Sequence, residues 1–136
     1  MTNFKIVSND IDYIENIKNQ IEILCIENNI NKNKQNYKIL ILTETISPNK
    51  MIFTSGSKKT LSFYGRVYLG TGNKIKEKIH EDETIKEFYL KPNSLIIIRG
   101  GTYSSTEVER DTQILSFYVA PSSMVSHLTL DNWELL

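Results

Sequence analysis

The chain has 136 residues, a length that fits one domain with one hydrophobic core. Its 16 basic and 16 acidic side chains cancel, so no bulk charge draws it to nucleic acid or to an anionic membrane surface. The single cysteine, Cys25, excludes an internal disulfide, and its neighbours Ile23, Leu24 and Ile26 give it the setting of a small buried hydrophobe.

The first residues, Met1-Thr2-Asn3-Phe4-Lys5, lack the apolar core of a targeting peptide. No segment reaches the ~18 apolar residues of a membrane span. With a lone thiol, these features lead to the expectation of a cytoplasmic protein. The chain is rich in Asn, Lys and Ile, a usage common in AT-rich genomes. A viral or phage accessory role is therefore one expectation.

Residues 8–27 carry Ile11, Ile14, Ile17, Ile21 and Leu24 at three- and four-residue steps, which predicts an amphipathic helix. Ser8 or Asn9 caps it, and Asp10 and Asp12 suit the positive end of its dipole. Its stripe would pack on the outer face of a sheet. Residues 28–36, from Asn28 to Asn36, are too polar to offset the entropy of ordering and read as a linker.

Residues 37–121 then read as short strands separated by turn residues. Lys38–Ile46 is nearly continuous in Ile, Leu and Thr, and Ser47-Pro48-Asn49-Lys50 turns the chain into Met51–Thr54. Leu61–Leu69 is a longer strand, in which Gly65 marks a bulge or a close approach of backbone. Gly70-Thr71-Gly72-Asn73 is a hairpin turn. Lys74–Ile79 has charges on both faces and reads as an exposed edge. Thr84–Leu90 and Ser94–Arg99 follow, then Tyr103–Glu109 as a polar strand or loop and Thr112–Val119 as the last long strand, and residues 122–136 form a tail with His127 and Trp133. The expected class is α+β: an N-terminal helix packed on an antiparallel β-sandwich of about eight strands, jelly-roll in style.

Three segments bear on chemistry. Ser55-Gly56-Ser57-Lys58-Lys59-Thr60 lacks the glycine spacing and following helix of a phosphate loop, so it reads as a polar hairpin. His80-Glu81-Asp82-Glu83 has two readings. It is a charged hairpin tip, or His80 and Asp82 join His127 in a facial triad that holds iron(II) and leaves positions open. Gly100-Gly101-Thr102-Tyr103-Ser104-Ser105 is either a glycine bend or a close approach to a ligand, with hydroxyls behind it and Arg99 or Arg110 as an anion clamp.

Residues Thr54–Pro121 resemble the double-stranded β-helix of iron(II)/2-oxoglutarate-dependent oxygenases, and are cupin-like in the same sense. The likeness lies in Leu61-Ser62-Phe63-Tyr64-Gly65-Arg66-Val67-Tyr68-Leu69-Gly70, in Lys91-Pro92-Asn93-Ser94-Leu95-Ile96-Ile97-Ile98, and in Leu115-Ser116-Phe117-Tyr118-Val119-Ala120-Pro121. The resemblance implies a His-X-Asp pair near Thr54-Ser55-Gly56, a second histidine near Thr102–Ser104 and an arginine where Thr112-Gln113 stands. None of these is present. The resemblance therefore implies a scaffold without its metal, one that binds and does not catalyse.

The leading expectation is a non-catalytic protein that holds a small polar ligand, or a partner's peptide, between its sheets and needs no cofactor. The residues expected to hold it are Tyr64, Arg66, Arg99, Tyr103 and Arg110, which combine stacking area with carboxylate or phosphate clamps. The rival is a divergent iron(II)/2-oxoglutarate-dependent oxygenase using His80, Asp82 and His127. A third reading is a structural subunit of a homo-oligomer, with the helix stripe or the Leu40/Leu42 strand at the interface.

Overall fold

A computed structural model of the chain describes residues 4–8, 19, 22–23, 37–48, 52–54, 62–69, 75–91, 94–127 and 134–135. Ten strands follow one another in these residues: β1 (Phe4–Ser8), β2 (Tyr37–Ile46), β3 (Ile52–Thr54), β4 (Phe63–Leu69), β5 (Ile75–Glu81), β6 (Thr84–Leu90), β7 (Ser94–Arg99), β8 (Tyr103–Val108), β9 (Thr112–Pro121) and β10 (Glu134–Leu135). They form two antiparallel sheets, a six-stranded one in the order β1-β7-β4-β9-β2-β10 and a four-stranded one in the order β3-β8-β5-β6.

The expected α+β class is corrected. The described residues are β-rich, and among them no amphipathic N-terminal helix is seen. Ser8, expected to cap that helix, ends β1 and pairs with Ser94. Asn19, Glu22 and Ile23 are helical, and the other residues of 9–27 lie outside the described residues, as does the linker 28–36. The physical reason for the change at Ser8 is edge pairing. Strand β7 needs a neighbour for its outer main-chain groups, and Phe4–Ser8 supplies it in register from Phe4↔Ile98 to Ser8↔Ser94. The tail also joins the sheet, through a 3-10 turn at Ser122–His127 and the pairing of β10 with β2. Among the described residues no helix is long and apolar enough to cross a membrane.

The six-stranded sheet is buried on both faces, which is why Leu95-Ile96-Ile97-Ile98 runs apolar without alternation. Phe63, Val67, Leu95, Ile97, Leu115, Phe117 and Val119 form the core on its outer face. Tyr64, Tyr68, Ile96, Ile98 and Ile114 face the other way and meet Ile75, Ile79 and Val108 of the four-stranded sheet. Strand β4 therefore turns its polar set, Tyr64, Arg66 and Tyr68, into the space between the sheets.

Strand β5 is not the exposed edge its charges suggested. It lies between β8 and β6, with Ile75, Glu77 and Ile79 buried and the residues between them half-exposed. The β5–β6 hairpin closes on a two-residue turn at Asp82-Glu83, where Asp82 takes a left-handed φ of 46°. The Thr84 hydroxyl donates to the Glu81 carbonyl at 3.1 Å. Gly100-Gly101 is a bend between β7 and β8, with Gly101 at φ 89° and the Thr102 amide donating to the Arg99 carbonyl at 3.1 Å.

Gly65 is a close approach and not a bulge, since β4 pairs without interruption with β7 and β9. A Cβ there would meet the Ile96 carbonyl oxygen and the Phe117 ring inside van der Waals distance. Gly65→Ala should cost about 3 kcal/mol or more in urea unfolding, from overpacking of a rigid sheet. Unfolding free energy within about 0.5 kcal/mol of the parent would contradict this packing.

Candidate functional site

A polar network crosses the space between the sheets. Arg66 and Glu77 are the ion pair at its centre, 1% and 0% exposed. Arg66 Nη1 donates to Glu77 Oε1. Glu77 Oε2 accepts from the Tyr68 hydroxyl and, at 2.6 Å, from the Thr106 hydroxyl. Arg66 Nη2 donates to Ser104 Oγ at 3.2 Å. The Tyr64 hydroxyl donates to the Thr102 carbonyl at 2.5 Å and lies 2.8 Å from Ser104 Oγ. Tyr64 has one hydroxyl proton, so Ser104 donates the second of these bonds. Arg66 also sits 5.7 Å from the centre of the Tyr64 ring.

Strand alternation builds this arrangement. Tyr64, Arg66 and Tyr68 share the inner face of β4, Glu77 lies on that of β5, and Ser104 and Thr106 on that of β8. Thr106 stands opposite Glu77 in register. Taking two charges out of water costs several kcal/mol each, and close pairing with three donors on one carboxylate offsets it. Burial pushes the Glu77 carboxyl up from its ordinary value, against Arg66 and the Thr106 and Tyr68 donors. Arg66 loses hydration on burial, yet Glu77 raises it, so it stays a cation. Burial and then the Glu77 charge push Tyr68 well up, which keeps it a donor. Burial pushes Tyr64 up to about 12.

Beside this closed centre the inner face is more open. Ser116 stands in register with Arg66 on one side and Leu42 on the other. Its hydroxyl donates to Glu44 Oε2 at 3.2 Å. Glu44, Leu42 and Tyr118 are half-buried, and no ion pair holds Glu44 among the described residues. Burial and then the Glu44 charge raise Tyr118.

The expected ligand residues are placed apart. Tyr64 and Arg66 lie together in the network, where Arg66 is already paired. Arg99 is half-buried at the end of β7. Tyr103 lies on the outer face of the four-stranded sheet, edge-on to His80 at 4.8 Å between ring centres. Arg110 is exposed in the β8–β9 turn. Glu77, Glu44, Ser116 and Tyr118 were missed. The signal for Glu77 was present: Arg66 is a charge inside an apolar strand, and Glu77 falls between Ile75 and Ile79 at the two-residue period.

The iron triad does not fit the space between the sheets. His80 alternates with Ile79 and meets Tyr103 edge-on outside, while Asp82 is exposed at the hairpin tip. The His127 side chain lies outside what is described. Among the described residues no three His, Cys, Asp or Glu side chains gather as a metal site.

No family model and no curated protein matches the sequence. Several solved structures match in fold. A prolyl-4-hydroxylase of Pseudomonas putida is similar at TM-score 0.57 and 9% identity, over 87% of this chain and 70% of that one. An oxidoreductase of the 2OG-Fe(II) oxygenase family from Burkholderia pseudomallei is similar at TM-score 0.56 and 9% identity, over 88% and 69%. Streptomyces albus HEPD, with 2-hydroxyethylphosphonate and Fe(II) bound, is similar at TM-score 0.52 and 11% identity, over 69% of this chain and 22% of that one. The chain spans less than half the length of the phosphonate enzymes that it matches.

The expectation of no cofactor is corrected by these comparisons. Two of the structures are an iron(II)-bound protein and a member of the 2OG-Fe(II) oxygenase family, so this scaffold carries iron elsewhere.

An unfolded tyrosine releases its proton at about 10, and Tyr64 at about 12. Its raised value stabilises the fold fully below pH 10, and that contribution is lost as the pH rises toward 12. The amount is on the order of 2 kcal/mol. In urea unfolding across this range, Tyr64→Phe should show a shallower alkaline decline than the parent. Equal declines would contradict the placement of Tyr64. The chain has the double-stranded β-helix scaffold on which cupins and iron(II)/2-oxoglutarate oxygenases are built.

Proposed function

We propose that the chain binds a small polar molecule between its sheets, on the open flank lined by Glu44, Ser116 and Tyr118 beside Arg66. One observation carries this reading: Glu44 is a half-buried carboxylate on the inner face, and among the described residues its side-chain donor is the Ser116 hydroxyl alone. A ligand rich in hydrogen-bond donors, such as an amine or a polyol, supplies what that carboxylate lacks. Arg66 holds the wall of the site and is not an anion clamp, because Glu77 already neutralises it. The flank combines aromatic with polar groups, as small-molecule sites do. A cytoplasmic setting belongs to the same proposal.

A second reading is a divergent iron(II)/2-oxoglutarate-dependent oxygenase. The comparisons favour it over a purely non-catalytic binder, since the oxidoreductase from Burkholderia and the prolyl-4-hydroxylase cover most of this chain. His80 and Asp82 do not support it in their present places, so its iron ligands would come from other residues.

Native mass spectrometry of the full chain as purified tests the first reading. A retained mass of a few hundred daltons is expected, and Glu44→Gln should release it while the fold, read by circular dichroism, stays intact. An empty parent chain, or retention unaffected by Glu44→Gln, would count against the Glu44 site. Anaerobic calorimetry with iron(II) and 2-oxoglutarate tests the second. Saturable heat for 2-oxoglutarate that requires the metal would support the oxygenase, and no heat would remove it.

A further inference from the structure

Strand β6 closes the four-stranded sheet on one side, and among the described residues no strand pairs with its outer edge. The strand is exposed along most of its length, with Ile85 at 56% and Tyr89 at 69%. Two large hydrophobic side chains on an open edge form a template for another strand.

The hairpin geometry says which main-chain groups are open. Glu81 and Thr84 flank the two-residue turn, and such a closing pair exchanges both main-chain bonds. The main-chain groups of Thr84, Lys86, Phe88 and Leu90 therefore turn toward β5. Those of Ile85, Glu87 and Tyr89 turn outward.

We propose that two copies of this chain associate through β6, paired antiparallel about a two-fold axis at Glu87, to make one continuous eight-stranded sheet. The symmetry leaves few choices. A two-fold axis through an antiparallel pair opposes residues of the same face, so it passes through a residue. An axis at Lys86 sets two lysines opposite each other and leaves Tyr89 opposite the turn. An axis at Phe88 leaves Ile85 beyond the end of the partner strand. An axis at Glu87 overlaps all seven residues of β6. It sets Ile85 opposite Tyr89 on both sides of the axis, and each outward-facing residue finds a main-chain partner. Aromatic and β-branched residues opposite one another are a stabilising cross-strand pair.

The charges fit this register. The two Glu87 side chains meet at the axis, and each already has Lys76 at 3.3 Å and Lys78 at 3.8 Å. Two carboxylates would thus sit among four ammonium groups. On the inner face Lys86 would stand opposite Phe88 of the second copy, a pairing without like charges.

Sedimentation velocity and native mass spectrometry of the full chain test the proposal. The parent should move from a 15.7 kDa species to one of twice that mass at concentrations on the order of 10–100 μM. Two double variants follow from the register: Ile85→Lys with Tyr89→Lys, and Ile85→Glu with Tyr89→Glu. Each alone should associate at least tenfold more weakly than the parent. Mixed in equal amounts, they should form a heterodimer, since each lysine then faces a glutamate. In the unsubstituted parent, hydrogen exchange at the Ile85, Glu87 and Tyr89 amides should slow as concentration rises. A parent that stays monomeric, a dimer that survives both double substitutions, or a mixture that stays monomeric would each overturn the proposal.

Discussion

The Arg66–Glu77 pair ties the two sheets together, and the rest of the interior is arranged to keep both charges paired. A charge inside a sandwich is tolerable only when its counter-charge and hydrogen-bond partners are fixed at the same depth. Here Arg66 comes from one sheet, and Glu77 with Thr106 and Ser104 from the other. Tyr68 and Tyr64 stand on either side of Arg66 along β4 and complete the hydrogen bonding. Any slip of β4 by one residue would send Arg66 to the outer apolar face and bring Gly65 or Val67 to its place beside Glu77. The network thus fixes register as well as sheet-to-sheet placement.

The same network limits where a ligand can lie. The centre of the sandwich is closed and its hydrogen bonds are made, while the β2/β9 flank keeps a carboxylate and a phenol half-buried beside the buried Ser116 hydroxyl. Proteins of similar fold include ones with iron, so the scaffold is compatible with metal chemistry. The residues that would first be nominated as ligands, His80 and Asp82, lie on the outer sheet face and at a hairpin tip. The fold is held in common with those proteins at about a tenth of identical residues.

Much of the sandwich was legible in the sequence. Strands β2, β4, β7 and β9 follow from runs of Ile, Leu, Val and aromatic residues bounded by turns, and the β5–β6 turn from the charged tip His80-Glu81-Asp82-Glu83. The strand status of Phe4–Ser8 was not legible, because a five-residue edge strand carries little pattern and takes its conformation from β7. The central place of β5 was hidden for a different reason. Glu77 reads as a surface charge until its partner Arg66, eleven residues earlier, is known to face it. Arg66 was singled out for its chemistry, but pairing across two sheets depends on which faces meet, and local sequence does not report that. The Glu44–Ser116 contact spans 72 residues and was out of reach for the same reason.

The most direct test of this account is a double-mutant cycle on Arg66 and Glu77, read by urea unfolding at neutral pH. Arg66→Met and Glu77→Leu should each cost about 3–5 kcal/mol, because each strands a buried charge. The double variant should cost far less than the two together, since an apolar pair then fills the gap. Two small and additive losses would mean that the pair does not bridge the sheets, and would contradict the central claim.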